Sequence, residues 1–257
     1  FRKQRNKLRL SKKDVQARYA FSKKYKDKKK WWWLKKLKMI IDLKHFPTYL
    51  HGAGRDYAAA REVRGAYRTK GQGLDEPYTV VPKGLRYNPG SKGALVAAGV
   101  GSGKVLMWHV IDGVWNGQAA ADLYKGTVLK TLKKKYKDRT RFTILEDNDP
   151  TGFQSAKGLA AKRDARIDVF TIPKRSPDLN VCDYALWKQM NRLMRRQESK
   201  WSADRRESRE QYLERLRRTA RNLPKKFVED SIGDMVRRCA RLYERKGKVF
   251  EEGGRGK

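Results

Sequence analysis

Phe142-Thr143-Ile144-Leu145-Glu146-Asp147-Asn148 decides the reading of this chain. Phe142–Leu145 is a short apolar run of β-forming residues, the pattern of a strand buried on both faces, and it runs directly into the acidic pair Glu146-Asp147. Upstream, Lys38-Met39-Ile40-Ile41-Asp42 repeats the pattern, a buried strand with an acid at its C-terminal end. A third acid, Asp183, opens a helix after Ser176-Pro177-Asp178-Leu179-Asn180-Val181-Cys182. If the two strands are neighbours, Asp42 and Asp147 lie side by side and Asp183 can close over the same edge. Oxygen ligands suit hard divalent cations. A pair of such ions, about 4 Å apart, can activate a nucleophile and stabilise a leaving oxygen in phosphodiester cleavage. Spacing alone leaves open that each Asp simply caps a turn or helix.

Around these acids the pattern alternates between strand and helix. Tyr78–Val81, Leu95–Val100, Val105–Ile111 and Asp168–Ile172 read as strands, with turn signals at Pro82, Gly84 and Pro89-Gly90. Asn116 is placed to cap a helix over 117–136, and residues 158–166 and 184–194 are also expected to be helical. Beyond them, Leu213, Leu216, Ala220 and Leu223 mark one helix. Val228, Ile232, Met235, Val236, Cys239, Leu242 and Tyr243 mark a second with a 3.6-residue period, and Pro224 separates the two. This order predicts an α/β fold, a mixed sheet flanked by helices. The expected organisation is a basic N-terminal extension or linker (1–37), a catalytic-type core (38–196) and a basic helical C-terminal extension (197–257).

The 257 residues include 63 Lys and Arg against 28 Asp and Glu, a net charge of +35, which points to a polyanionic partner. Residues 1–41 hold 17 basic and 2 acidic side chains. Lys28, Lys29, Lys30, Lys35 and Lys36 are expected to contact phosphates, as are Lys174 and Arg175 just before the Ser-Pro segment, the alternative being solvated surface charge. Trp31-Trp32-Trp33 either stacks on unpaired bases or packs on the core. The 27 aromatic residues can fill a core, which argues against wholesale disorder. No run of about 18 apolar residues exists, so no membrane-spanning helix is expected. Two cysteines, Cys182 and Cys239, make neither a disulfide framework nor a four-ligand zinc site and suit a reducing compartment. The opening Phe1-Arg2-Lys3, with neither Met nor a signal segment, suggests a fragment or processed product lacking an upstream domain.

Leu145-Glu146-Asp147-Asn148, followed by Ile172-Pro173-Lys174-Arg175-Ser176-Pro177-Asp178-Leu179-Asn180-Val181-Cys182-Asp183-Tyr184-Ala185-Leu186-Trp187, resembles the catalytic core of mariner-superfamily transposases. That family places Asp-Asn after a buried strand. About 34 residues later it has Ser-Pro-Asp-Leu and then an acid, with an aromatic residue about four positions on; here 35 residues separate Asp147 from Asp183. The resemblance extends more loosely to 108–117 and 42–46, covering roughly 38–196. It implies a ribonuclease-H-like fold, a triad of Asp42, Asp147 and Asp183, two Mg²⁺ or Mn²⁺ ions, DNA as substrate, a homodimer and, in a eukaryote, a nuclear location. The family has Asp-Glu where this chain has Asp42-Leu43; Asp56 and Asp112 are the competing acids for that position. The family's N-terminal helix-turn-helix has no counterpart in residues 1–41. The activity implied is metal-dependent DNA cleavage and strand transfer. Two alternatives are a nuclease that only cuts, and a domesticated, inactive nucleic-acid-binding or scaffold protein, for instance in an RNA–protein assembly.

Other signals are weaker. Gly99-Val100-Gly101-Ser102-Gly103-Lys104-Val105 lacks the spacing and the hydroxyl residue of a phosphate-binding loop and reads as a turn between strands. His45, His51 and His109 show no matched spacing. Cys182 has no base placed to activate it. Glu146 and Asp149 are expected to support Asp147 at most, and Asp178 and Asn180 to shape the turn that aims Asp183.

Overall fold

The computed structural model describes residues 10–46, 94–201 and 207–250, together with the backbone of the two-residue strands Arg2–Lys3, Arg5–Asn6, Gly65–Ala66 and Thr79–Val80. Among the described residues, five strands form the main sheet: β1 (Met39–Phe46), β2 (Ala94–Gly101), β3 (Lys104–Ile111), β4 (Phe142–Glu146) and β5 (Ile167–Thr171). Their order is β3-β2-β1-β4-β5. The first three strands form an antiparallel meander, and β4 and β5 add to β1 in parallel. This is the mixed, ribonuclease-H-like sheet that the sequence pattern and the resemblance lead one to expect.

The central strands are apolar on both sides because both sides are covered. In β1, Ile40 faces one buried cluster while Met39 and Ile41 face another. The second cluster packs against α3 (Gly117–Leu123), a π turn (Tyr124–Val128), α4 (Leu129–Lys135) and α5 (Ala156–Asp164). Asn116 caps α3 as expected, its carboxamide oxygen accepting from the N–H groups of Gln118 and Ala119.

The first cluster unites the two ends of the chain. It takes in residues from α1 (Lys12–Tyr25), α2 (Lys30–Lys36), α6 (Trp187–Glu198), α7 (Arg209–Arg221), α8 (Lys225–Gly233) and α9 (Met235–Glu244). Helix α1 starts at a capping box made by Ser11 and Asp14. Trp33 is fully buried and Trp31 is 61% exposed. The tryptophan run therefore packs partly on the core, with Trp32 half-buried between them.

Three details differ from the sequence reading. β1 runs on to Phe46, because its antiparallel ladder with β2 continues through His45↔Leu95 and Phe46↔Ala94; Asp42 is thus within the strand and not at its end. The expected helix 228–243 is split into α8 and α9 at Gly233-Asp234, both poor helix formers. Of Tyr78–Val81, Thr79–Val80 pairs in parallel with Arg5–Asn6, apart from the main sheet, and the rest lies outside the described residues.

The last described turn is fixed by a close approach. Gly247 has φ +80°, and a Cβ there would meet the Val15 carbonyl oxygen of α1 at 2.1 Å. Gly113 has nearly the same φ, +79°, with open space where its Cβ would be. Gly247→Ala is expected to lower stability by about 1–3 kcal/mol, and Gly113→Ala by the smaller conformational cost alone. Urea unfolding checks this: the Gly247 variant should have the lower midpoint, with an unchanged slope in both.

Candidate active site

Parallel register brings the first two acids together. Met39 pairs with Ile144 and Ile40 with Leu145. Two residues further along both strands, Asp42 and Asp147 are neighbours across a strand spacing of about 4.8 Å, on the face that carries Ile40 and Leu145. Helix geometry brings the third. Pro177–Leu179 forms a 3₁₀ turn and Cys182–Leu186 a π turn that leads into α6. Buried Asn180 holds the junction: its side-chain oxygen accepts from the Cys182 N–H at 3.0 Å, and its carbonyl accepts from the N–H groups of Asp183 and Tyr184. The Cys182 thiol contacts the Ile40 carbonyl at 3.7 Å and is fully buried, a packing residue as its sequence context implies.

The electrostatics reflect this convergence. The Asp42 carboxyl is pushed well above the ordinary carboxylate range, first by burial, then by the charge of Asp183, and further by Asp147. A hydrogen bond from Trp187 Nε1 to Asp42 Oδ2, 2.6 Å, opposes the shift. Burial also raises Asp147, against the hydrogen bond its Oδ1 accepts from the Asp149 N–H at 3.2 Å. Asp183 is exposed. Among the described residues, no Lys or Arg makes an ion pair with Asp42 or Asp147, and no three acidic, His or Cys side chains close tightly enough to form a ligand cage. The donor chemistry, a buried carboxylate opposed by two more and left without a cationic partner, fits hard divalent ions.

The neighbouring acids do other work. Glu146 points to the opposite face, buried in contact with Lys162 and the Tyr124 hydroxyl and accepting from Gln154 Nε2 at 3.1 Å. Asp149 caps the following turn through the N–H groups of Thr151 and Gly152 and accepts from Trp115 Nε1 at 2.8 Å. Of the competing acids, Asp112 is exposed just beyond β3, and Asp56 lies outside the described residues, as does His51.

Arg18, which the charge pattern does not distinguish from its solvated neighbours, is 1% exposed. Its guanidinium donates to Ser176 Oγ at 2.8 Å, to both oxygens of Asp178 at 2.7 and 2.5 Å, and to the Gly247 carbonyl at 2.9 Å. Ser-Pro-Asp-Leu is therefore a docking segment. Ser176 and Asp178 receive Arg18, Pro177 starts the turn, and Leu179 is buried in the core. The turn is shaped through Arg18 and Asn180, and the Asp178 carbonyl also accepts from Arg238 Nη1 at 2.9 Å.

The residues assigned to phosphate contact are dispersed. Lys28 is half-buried with its ammonium over the Trp32 ring at 5.4 Å, and Lys29 is exposed beside it. Lys30 pairs with Asp230 at 2.7 Å, which together with Lys226 lowers the Asp230 carboxyl to about 2. Lys35 and Lys36 are exposed at the end of α2. Lys174 is exposed, and Arg175 pairs with Asp14 at 3.2 Å.

No protein-family model matches the chain, and no curated protein sequence matches it. Solved structures do. The catalytic domain of Mos1 mariner transposase superposes with a TM-score of 0.63 at 17% identity, covering 95% of this chain and 99% of that one. The same domain solved with raltegravir and Mn gives a TM-score of 0.63 at 15% identity, covering 95% and 100%. The Mos1 paired-end complex with left transposon end gives 0.64 at 17% identity, covering 95% of this chain and 65% of that one. This chain thus matches the whole Mos1 catalytic domain and about two thirds of the longer Mos1 chain. At such identities the shared property is the fold.

Two tests follow from the site. Asp42 ionises at a lower pH in the unfolded chain, near 4, than in the fold, so the fold retains the proton and stability falls as pH rises above that value. Without added metal, Asp42→Asn is expected to melt higher than the wild type at pH 7, by about 2–4 °C per kcal/mol of relieved repulsion, with the gap closing towards pH 4. Thermal melts across pH check it. Arg18→Met leaves Asp178 partly buried without a counter-charge and is expected to cost about 3–5 kcal/mol. In urea melts, Asp178→Asn in the same chain should recover part of that loss.

Proposed function

We propose that the chain is the catalytic domain of a mariner-like transposase that cleaves DNA at an element end and joins the freed 3′-hydroxyl to target DNA. The observation that carries this reading is the approach of Asp183 and Asp147 to the buried Asp42, in a chain of net charge +35. It is supported by the fold shared with a DNA transposase domain, solved with Mn in one instance and with Mg in another. Two divalent ions, Mg²⁺ or Mn²⁺, held by the three carboxylates would supply a nucleophile at neutral pH and neutralise charge on the attacking and leaving oxygens. The chain's own part is to hold those carboxylates. Asp42 is fixed by the sheet and by Trp187 Nε1, Asp147 by the Asp149 N–H, and Asp183 by the Asn180 junction. Surrounding lysines and arginines would bind the DNA backbone. Working on two element ends implies two copies of the chain, and in a eukaryotic cell the place of work would be the nucleus.

A second reading has its own support: no ligand cage is closed among the described residues, and Leu43 follows Asp42 where an acid is usual in the family. On that reading the fold serves as an inactive nucleic-acid-binding scaffold. The experiment that separates the two incubates the wild type and Asp147→Ala with labelled duplex DNA and Mg²⁺ or Mn²⁺. The transposase reading expects nicked and joined products from the wild type, a loss of at least a thousandfold in the variant, and DNA affinity within a few-fold. Cleavage at equal rates by both proteins, or none by the wild type together with melting curves indifferent to Mn²⁺, would remove it. Cleavage without joining would leave a simple nuclease.

A further inference from the structure

A concavity of about 510 Å³ lies where the α1–α2 turn packs over the edge of the sheet, between α1, α2, β4 and β5. Its aromatic wall is made by Tyr25 and Trp32, whose ring centroids are 5.8 Å apart. Lys24, Lys28 and Lys36 surround it. Among the described residues none of these three lysines makes an ion pair, whereas Lys26 and Lys30 beside them pair with Asp27 and Asp230. The Lys24 ammonium lies 5.4 Å from the Tyr25 ring centroid, and Lys28 the same distance from that of Trp32. The one acid of the lining, Asp168, is held by Arg141 Nε at 2.7 Å. The site is therefore cationic at its rim, aromatic in its wall and large enough for a nucleotide.

We propose that this groove binds an unpaired nucleic-acid strand, with a base on the Trp32 and Tyr25 rings and its phosphates on Lys24, Lys28 and Lys36. Duplex DNA keeps its bases stacked internally, so only an unpaired strand can use the aromatic wall. The groove is separate from the three acids, but one of its strands, β4, leads into Asp147. Thr143 lines it, four residues before Asp147 on β4 and on the same face, about 13 Å away at the rise of a strand. A strand engaged at the acids thus has a second anchor within reach once it is freed from its complement. The inference rests on nucleic acid being the substrate, and it deepens that reading with a subsite for unpaired strand.

The test is equilibrium binding in EDTA, so cleavage plays no part in the result. Fluorescently labelled oligodeoxythymidylate, oligouridylate and a DNA duplex are titrated with the wild type, Trp32→Ala, Trp32→Phe and the triple variant Lys24→Gln/Lys28→Gln/Lys36→Gln. Trp31→Ala and Lys130→Gln/Lys133→Gln/Lys134→Gln, exposed positions outside the groove, serve as controls. Trp32→Ala should weaken single-strand binding tenfold or more and duplex binding less than threefold, with Trp32→Phe retaining most of the affinity. The groove triple should lower the salt slope for single strands by about 2, at about 0.7 per lost phosphate contact. Loss of both single-strand ligands together assigns a site for unpaired strands in general, and loss of one assigns it to that class of strand. Equal losses on duplex and single strand, or an equal fall in slope from the control triple, would overturn the proposal. Should Trp32→Ala fail to fold, the groove triple alone decides it. Cleavage by the wild type in Mg²⁺ stands or falls independently of any of these outcomes.

Discussion

Carboxylates gathered at the end of a sheet repel one another, and a fold that gathers them must hold them by other means. Here the means are backbone register and buried hydrogen bonds. Asp42 and Asp147 are adjacent because β1 and β4 pair in parallel, and the pairing is enforced by apolar side chains on both faces of the two strands. Asp183 is brought in by a turn whose Ser176 and Asp178 are fastened to Arg18. Burial first, and then this repulsion, raises the proton affinity of Asp42, the most buried of the three. A group that is costly as a bare anion gains most from a counter-charge.

The excess of positive charge complements this arrangement. Most of it is on exposed surface: the basic last turns of α1, α2 and α4 all face solvent. A few cations are interior and structural. Arg18, Lys162 and Arg215 are buried against Asp178, Glu146 and the pair Glu198 and Glu207. The chain thus uses acids twice, once to neutralise its interior cations and once around the buried Asp42, which among the described residues no Lys or Arg pairs.

Much of this was legible in the sequence, for physical reasons that can be named. The strands around Asp42 and Asp147 announce themselves because burial on both faces requires uninterrupted apolar runs, and Asn116 announces α3 because few residues can satisfy the free N–H groups of a helix start. Ser-Pro-Asp-Leu is recognisable as a motif whose turn aims Asp183, but its fastening is not, because the Arg18 that takes Asp178 lies 160 residues upstream in a segment that looks like solvated charge. Trp187 was visible as an apolar position on α6, while its Nε1 bond to Asp42 depends on how α6 docks. The sequence pattern of β1 reads as ending at Asp42 because its continuation, Leu43-Lys44-His45-Phe46, places two polar residues together; pairing with β2 carries it on. Side-chain pairings across long separations set these features, and local patterns do not record them.

Arg18 spans the chain in another sense. It joins a turn near residue 176 to the carbonyl of Gly247, which lies 229 positions beyond Arg18 itself. During synthesis, the segment bearing Asp183 leaves the ribosome well before its anchor at Gly247 exists, and an emerging chain can pair β1 with β4 long before it can finish the edge. The turn that seats Asp183 is thereby completed only once residue 247 has been made, so a product ending before it would possess the sheet without a fully anchored third acid.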